Sequence, residues 1–87
     1  MMIKRIEILD FMTAKLGLSG NELVLFGICW KLSDKGEKPC ELNYTDVSAA
    51  MGTTIPTMYN CLNKLVGRGY VVKLDDGRYQ VSETAKT

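Results

Sequence analysis

The side chains best suited to covalent or metal chemistry in this sequence are its three cysteines, Cys29, Cys40 and Cys61. No two of them have Cys-x-x-Cys spacing, and the chain contains no histidine to complete a zinc site or to activate a nucleophile. A glycine-rich phosphate loop followed by lysine and serine or threonine is also missing from the sequence. We therefore predict packed, reduced thiols, no metal or cofactor, and no enzymatic activity.

The remaining candidates are side chains that hydrogen-bond or carry charge. Asn60 and Asn63 are three residues apart and Lys64 follows directly, so on a helix the three would share one polar face. Such a face can contact a partner, or it can simply be solvated. The choice between these interpretations depends on the elements that position it.

Length and composition limit those elements to one small domain. The chain has 87 residues, of which 46% are hydrophobic, and its formal net charge is +1. A strongly basic chain would favour nucleic acid by charge alone, whereas here such a function must rest on pattern. The longest nearly apolar run, residues 23–30, is too short to cross a bilayer, and no signal peptide is evident. We expect a cytoplasmic protein that does not enter the membrane.

Hydrophobic periodicity predicts a helix over residues 3–16 that ends at Gly17. Its apolar positions are Ile3, Ile6, Leu9, Met12 and Leu16. A strand over residues 6–8 is the alternative, but the longer period argues against it.

A second helix is predicted from Ser19 to about residue 32 or 33. Ser19 and Glu22 have the spacing of a capping box, and Leu18 and Leu23 stand at the hydrophobic-staple positions on either side of it. The apolar residues of this helix cover nearly its whole circumference, so we expect it to be buried on all sides.

Two further helices separated by a tight turn are predicted over residues 43–67. Asn43 can cap a helix over residues 44–51, which Gly52 ends. Thr54 can cap the next helix, and Pro56 lies in its first turn, where its missing amide costs nothing. The residues expected to face the core from this helix are Ile55, Met58, Cys61, Leu62, Leu65 and Val66. The Gly-Arg-Gly sequence at 67–69 ends it.

A β-hairpin is predicted after these helices, with strands over residues 70–74 and 78–82. Asp76 and Gly77 between them are a strong signal for a two-residue turn. That turn pairs Leu74 with Tyr79 and residue 72 with residue 81, which places four apolar side chains on one face. A further short strand is possible over residues 40–42.

These elements together carry a family resemblance. The segment YTDVSAAMGTT, residues 44–54, resembles the helix-turn part of MarR-like winged-helix regulators. TMYNCLNKLVGRGYV, residues 57–71, looks like their recognition helix and its exit, and FMTAKLGLSGNEL, residues 11–23, is similar to segments that precede winged helices in phage and mobile-element proteins.

The resemblance implies an α+β, mostly α, fold. It would be a single winged helix-turn-helix domain over residues 1–87, with an extra N-terminal helix (1–17) and a central helix (19–33). The helix-turn-helix (43–67) and a C-terminal β-hairpin wing (70–82) would follow.

The resemblance also implies that the helix beginning after Thr54 lies in the major groove of double-stranded DNA. Asn60 and Asn63 would bond to adenine, and the helix N-terminus would offer free amides to a phosphate. The implied DNA-contacting residues are Thr54, Pro56, Thr57, Tyr59, Asn60, Asn63, Lys64, Arg68, Lys73 and Arg78.

This sequence departs from the MarR-like pattern in its charges. Members commonly place arginine or lysine near positions 55, 56 and 60, where this chain has Ile55, Pro56 and Asn60. The predicted wing tip carries Asp75 and Asp76, which repel phosphate. Two functions therefore remain open at the level of sequence. The first is sequence-specific DNA binding by a transcriptional regulator, and the second is a protein-interaction or replication-associated module with little DNA contact. In either case we expect the helix over residues 3–16 to pack on the central helix and contribute to a homodimer, because a chain of 87 residues has little else to cover that helix. The alternative is that the first helix folds back within one subunit and leaves a monomer.

Overall fold

The computed structural model describes residue 6 and residues 8–86, and it is α+β and mostly helical, as predicted. In chain order the elements are α1 (Asp10–Ala14), α2 (Gly20–Leu32), α3 (Tyr44–Met51), α4 (Ile55–Gly67), β1 (Val71–Lys73), β2 (Tyr79–Val81) and α5 (Glu83–Lys86).

The N-terminal helix is much shorter than predicted. It begins at Asp10, and Leu9 before it is extended, so the prediction of helix from residue 3 is wrong over the described part. Ile3 lies outside the described residues. Ile6 and Ile8 are β-branched, which lowers their helix propensity, and Ile8 is 45% exposed although Ile6 packs against the core. The predicted stop is confirmed, because Gly17 has a φ of 68° and turns the chain toward α2.

α2 is the central element, and it contacts α1, α3, α4 and β2. Its start lies where predicted, but the capping box is wrong. Gly20 takes a φ of 59°, and the Ser19 side chain makes no cap hydrogen bond. One carboxylate oxygen of Glu22 is buried without a hydrogen-bond partner among the described residues. Because the left-handed Gly20 redirects the first turn, the Ser19 hydroxyl and the Glu22 carboxylate do not reach the amides that a capping box would pair.

Side chains from α2 form the middle of the core. Leu25, Phe26 and Ile28 are fully buried, and Phe26 packs edge-on against Phe11 of the α1 helix at 6.2 Å between ring centroids. α1 therefore covers one side of α2 within the same chain. The prediction that α2 is buried on all sides is confirmed in part, because Leu23, Val24, Trp30 and Leu32 are only half-buried.

The caps predicted for α3 and α4 are confirmed. The Asn43 side chain accepts a hydrogen bond from the Asp46 amide at 3.1 Å, and Gly52 ends α3 with a φ of 71°. Thr54 accepts a hydrogen bond from the Thr57 amide at 3.4 Å. These local bonds set the two helices on either side of a tight turn.

The hairpin forms, but its predicted register is wrong by one residue. β1 pairs with β2 so that Val71 faces Val81 and Lys73 faces Tyr79. The loop has three residues, because the Leu74 amide donates to the Arg78 carbonyl at 2.7 Å and the Gly77 amide donates to the Leu74 carbonyl at 3.0 Å.

Gly77 has a φ of 89°, which suits the left-handed last position of a three-residue hairpin loop. The shift of one residue reverses the faces of β1. Val71 is buried, whereas Val72, which the sequence placed on the core face, is 46% exposed.

Two features at the edges of the fold complete it. The possible strand at residues 40–42 is a single antiparallel bridge, in which the Cys40 and Tyr79 backbones exchange hydrogen bonds of 2.8 and 2.9 Å. The helix α5 was not predicted. It buries Ala85 and ties the C-terminal segment to the turn after α2, because the Lys86 ammonium donates to the Gly36 carbonyl at 3.1 Å.

Candidate nucleic-acid interface

The outer face of α4 is the largest set of candidate residues that the structure brings together. Met58, Leu62 and Leu65 on the inner face are fully buried. Two rows spaced by four residues lie on the outside, and every member is exposed. The first row consists of Ile55, Tyr59 and Asn63, and the second row consists of Pro56, Asn60 and Lys64. The exposed carboxamides are thus held on a helix whose other face is anchored in the core.

The N-terminus of α4 is less available to a phosphate than the sequence suggested. The Thr57 amide is already bonded to the Thr54 hydroxyl oxygen, and Pro56 has no amide hydrogen. Of the amides of residues 55–57, this leaves only that of Ile55 for a ligand.

The two threonine hydroxyls at this end have different capacities. The Thr54 hydroxyl donates to the Thr57 hydroxyl oxygen at 3.0 Å, which leaves the Thr57 proton free to donate outward. Thr57 is therefore the better placed of the two for a phosphate contact, and Thr54 acts mainly as the helix cap.

Tyr59 belongs to an aromatic cluster at the base of the wing. Its ring meets that of Tyr44 edge-on at 5.7 Å between centroids, and the Tyr44 and Tyr79 hydroxyls are hydrogen-bonded at 2.8 Å. Burial, and a hydrogen bond in which the Tyr79 hydroxyl can donate to Tyr44, raise the pKa of Tyr79 well above its usual range. The cluster connects the start of α3, the outer row of α4 and β2, and it confirms Tyr79 as a core residue.

The four candidate cations differ in whether their charged groups already contact another side chain. Lys64 and Lys73 are exposed and form no ion pair with any described residue. The Arg68 guanidinium lies 5.8 Å from the centroid of the Tyr70 ring, whose hydroxyl donates to the Leu16 carbonyl at 3.0 Å.

Arg78 is paired with the acidic residue two positions before it. Its Nε lies 2.7 Å from Oδ2 of Asp76, and its amide donates to Oδ1 of the same carboxylate at 3.0 Å. These bonds, the amide first and the guanidinium second, lower the pKa of Asp76 below its usual value. The positive charge expected at the wing tip is therefore largely offset.

Ile55 and Val66 of α4 do not face the core, so the prediction made from helical periodicity is wrong for both. Both were expected in the core stripe, but they are 42% and 37% exposed. They lie at the edges of that stripe, where a helical pattern predicts burial least well. Their exposure adds apolar surface to the outer side of α4.

Other parts of the described chain offer little chemistry. The three cysteines are free and buried, and burial raises the pKa of the Cys29 thiol far above its usual range. No group of three or more potential metal ligands occurs within residues 8–86, and no helix in that range is long and apolar enough to span a membrane.

A depression of about 530 Å³ lies between the start of α3 and the wing tip. Its lining residues are Glu41, Leu42, Asn43, Tyr44, Asp76 and Gly77.

Comparison with known proteins identifies no relative of this chain. No family model, no curated protein and no solved structure matches the chain.

Proposed function

We propose that this protein is a cytoplasmic winged helix-turn-helix domain that binds double-stranded DNA in a sequence-specific manner and regulates transcription. α3 and α4 are the helix-turn-helix, and the β1–β2 hairpin is the wing. The observation that carries the proposal is the outer face of α4, where Asn60 and Asn63 are exposed opposite a fully buried stripe. The resemblance of residues 44–71 to MarR-like regulators supports the same assignment.

In this proposal the outer face of α4 enters the major groove. Asn60 and Asn63 form paired hydrogen bonds with base edges. Lys64 and Lys73 neutralise phosphates, and Arg68, at the exit of α4, adds a third charge. Thr57 donates its free hydroxyl proton to a phosphate oxygen.

The test begins with selection of binding sites from random duplexes, followed by fluorescence-anisotropy titration of the enriched site over a salt series. Asn60→Ala should cost about 1–3 kcal/mol on that site and relax specificity at one position. Lys64→Ala should weaken binding to all duplexes alike and reduce the salt slope by about one unit. Lys38→Ala is the matched control, because Lys38 is an exposed lysine in the turn after α2.

If no sequence is enriched and no duplex binds even at low salt, α4 does not contact DNA. Equal losses from Lys64→Ala and Lys38→Ala would mean that this face is not the binding face.

A second candidate function is a protein-interaction or replication-associated module. The observation in its favour is the wing tip, where Asp76 offsets Arg78 and the neighbouring depression carries the carboxylates of Glu41 and Asp76. A basic protein segment would suit this surface better than a phosphate backbone. Failure of all duplexes in the anisotropy experiment would favour this candidate.

A homodimer also remains part of the proposal. α1 packs on α2 of its own chain, so a dimer would have to use other surface, and the exposed Ile8 beside α1 is the candidate. Sedimentation equilibrium at micromolar concentration tests this, because a single species of 9.7 kDa would exclude the dimer.

A further inference from the structure

Residues 55–63 of α4 expose an unusual set of side chains for a helix that meets DNA. Ile55 is 42% exposed and Pro56 is exposed beside it. Asn60 and Asn63 follow on the same outer rows. No arginine or lysine occurs between residues 54 and 63.

These side-chain types discriminate between base pairs. In the major groove a guanine is recognised mainly by arginine or lysine, which bond to its O6 and N7. An adenine is recognised by asparagine or glutamine, which bond to N6 and N7, and the thymine methyl is contacted by apolar side chains. The exposed face of α4 carries side chains of the types that contact adenine and thymine, and its first basic residue is Lys64, directly after Asn63.

The spacing along the helix fits a short run of base pairs. Residues 55 and 63 are eight positions apart, which corresponds to about 12 Å along the axis at 1.5 Å per residue. At 3.4 Å per base-pair step this length matches about three or four base pairs. The residues nearest the N-terminus of such a helix are those that commonly reach base edges, and here they are Ile55 and Pro56.

We propose that α4 recognises a run of A·T base pairs, with Asn60 and Asn63 on adenines and Ile55 and Pro56 on thymine methyl groups. The inference rests on the proposed DNA-binding function and names the class of site. In such a complex the Ile55 side chain, which is 42% exposed, would be covered by a thymine methyl group.

The experiment compares thymine with uracil, which differ only by the methyl group. The site enriched by selection is prepared with each thymine replaced in turn by deoxyuridine, and affinities are measured by anisotropy at fixed salt. We expect an A·T-rich centre, and at one or two positions a loss of about fourfold in affinity for each methyl removed.

Protein variants connect the methyl effect to α4. Ile55→Ala should weaken binding to the thymine site and lose the sensitivity to uracil at one position. Val66→Ala is the matched control, since Val66 is a similarly exposed apolar residue of α4 that lies beyond its first two turns. The Val66→Ala variant should keep the wild-type loss of affinity when thymine is replaced by uracil. Because both side chains are exposed, we expect the variants to stay folded, and circular dichroism checks this.

The outcomes separate this inference from the proposed function. A G·C-rich selected site, or uracil tolerance at every thymine of an A·T-rich one, overturns the inference and leaves DNA binding intact. Equal sensitivity to uracil in the wild type and Ile55→Ala also overturns it. Failure of every duplex to bind overturns the proposed function itself.

Discussion

The hydrogen bond between the Tyr44 and Tyr79 hydroxyls gives a test of how α3 is held to the wing. The two oxygens are 2.8 Å apart, and Tyr79 is 2% exposed whereas Tyr44 is half-buried. Tyr79→Phe removes one hydrogen bond and leaves the Tyr44 hydroxyl close enough to solvent to bond to water. We expect it to lower the free energy of unfolding by about 1 kcal/mol.

Tyr44→Phe should be the more costly substitution, although Tyr44 is the more exposed residue. It leaves the Tyr79 hydroxyl buried without its partner, and the expected loss is about 1–3 kcal/mol. The double variant should cost less than the sum of the two single variants, because it leaves no orphaned hydroxyl.

Urea denaturation followed by circular dichroism measures all three free energies. Tyr59→Phe is the control, since Tyr59 contacts Tyr44 through its ring and its hydroxyl has no hydrogen bond with the described residues. We expect its stability to stay within about 0.5 kcal/mol of the wild type. A larger loss from Tyr79→Phe than from Tyr44→Phe, or strictly additive losses, would refute the reasoning.

Two further predictions concern charge. Asp76→Asn should strengthen duplex binding and steepen its salt dependence by about 0.9 units, because it frees Arg78 to meet a phosphate. Asp75→Asn removes the same charge without freeing Arg78, so equal gains in anisotropy titrations over a salt series would contradict this. Burial raises the pKa of Cys29 above its ordinary value of 9.0, so only the unfolded chain loses that proton near pH 9. The contribution of Cys29 to the free energy of unfolding should therefore be constant below about pH 8.5 and fall above it. We expect the urea midpoint to decline less above that pH in Cys29→Ala than in the wild type. An identical decline in both proteins would exclude Cys29 as its source.

Much of the helix-turn-helix could be predicted from the sequence, because its signals are local. Asn43 and Thr54 each bond to an amide three residues ahead, and Gly52 supplies the left-handed residue that ends α3. Such bonds depend on a few neighbouring residues and not on the rest of the fold. The exposed position of Asn60 and Asn63 likewise follows from helical spacing alone.

The hairpin register was decided by tertiary structure. Asp76-Gly77 suits a two-residue turn, but Gly77 suits the last position of a three-residue loop equally well. The second arrangement buries Val71 and exposes Val72. The bridge between Tyr79 and Cys40 is compatible with both registers, because either one leaves the outer backbone groups of Tyr79 unpaired by β1. The packing of β1 on the core therefore distinguishes the two registers, and that packing leaves no mark on the turn itself.

The extent of burial at the ends and edges of helices was also a property of the folded chain. Residues 6 and 9 have helical spacing and pack against the core, yet the helix forms only from Asp10 onward. Periodicity placed Ile55 in a stripe, but how far a neighbour covers that stripe depends on the angle at which α4 packs. The sequence determined which residues share a face, because that depends on the 3.6-residue turn of a helix. Only the tertiary structure decided that Ile55 is left uncovered and that Asp76 holds Arg78.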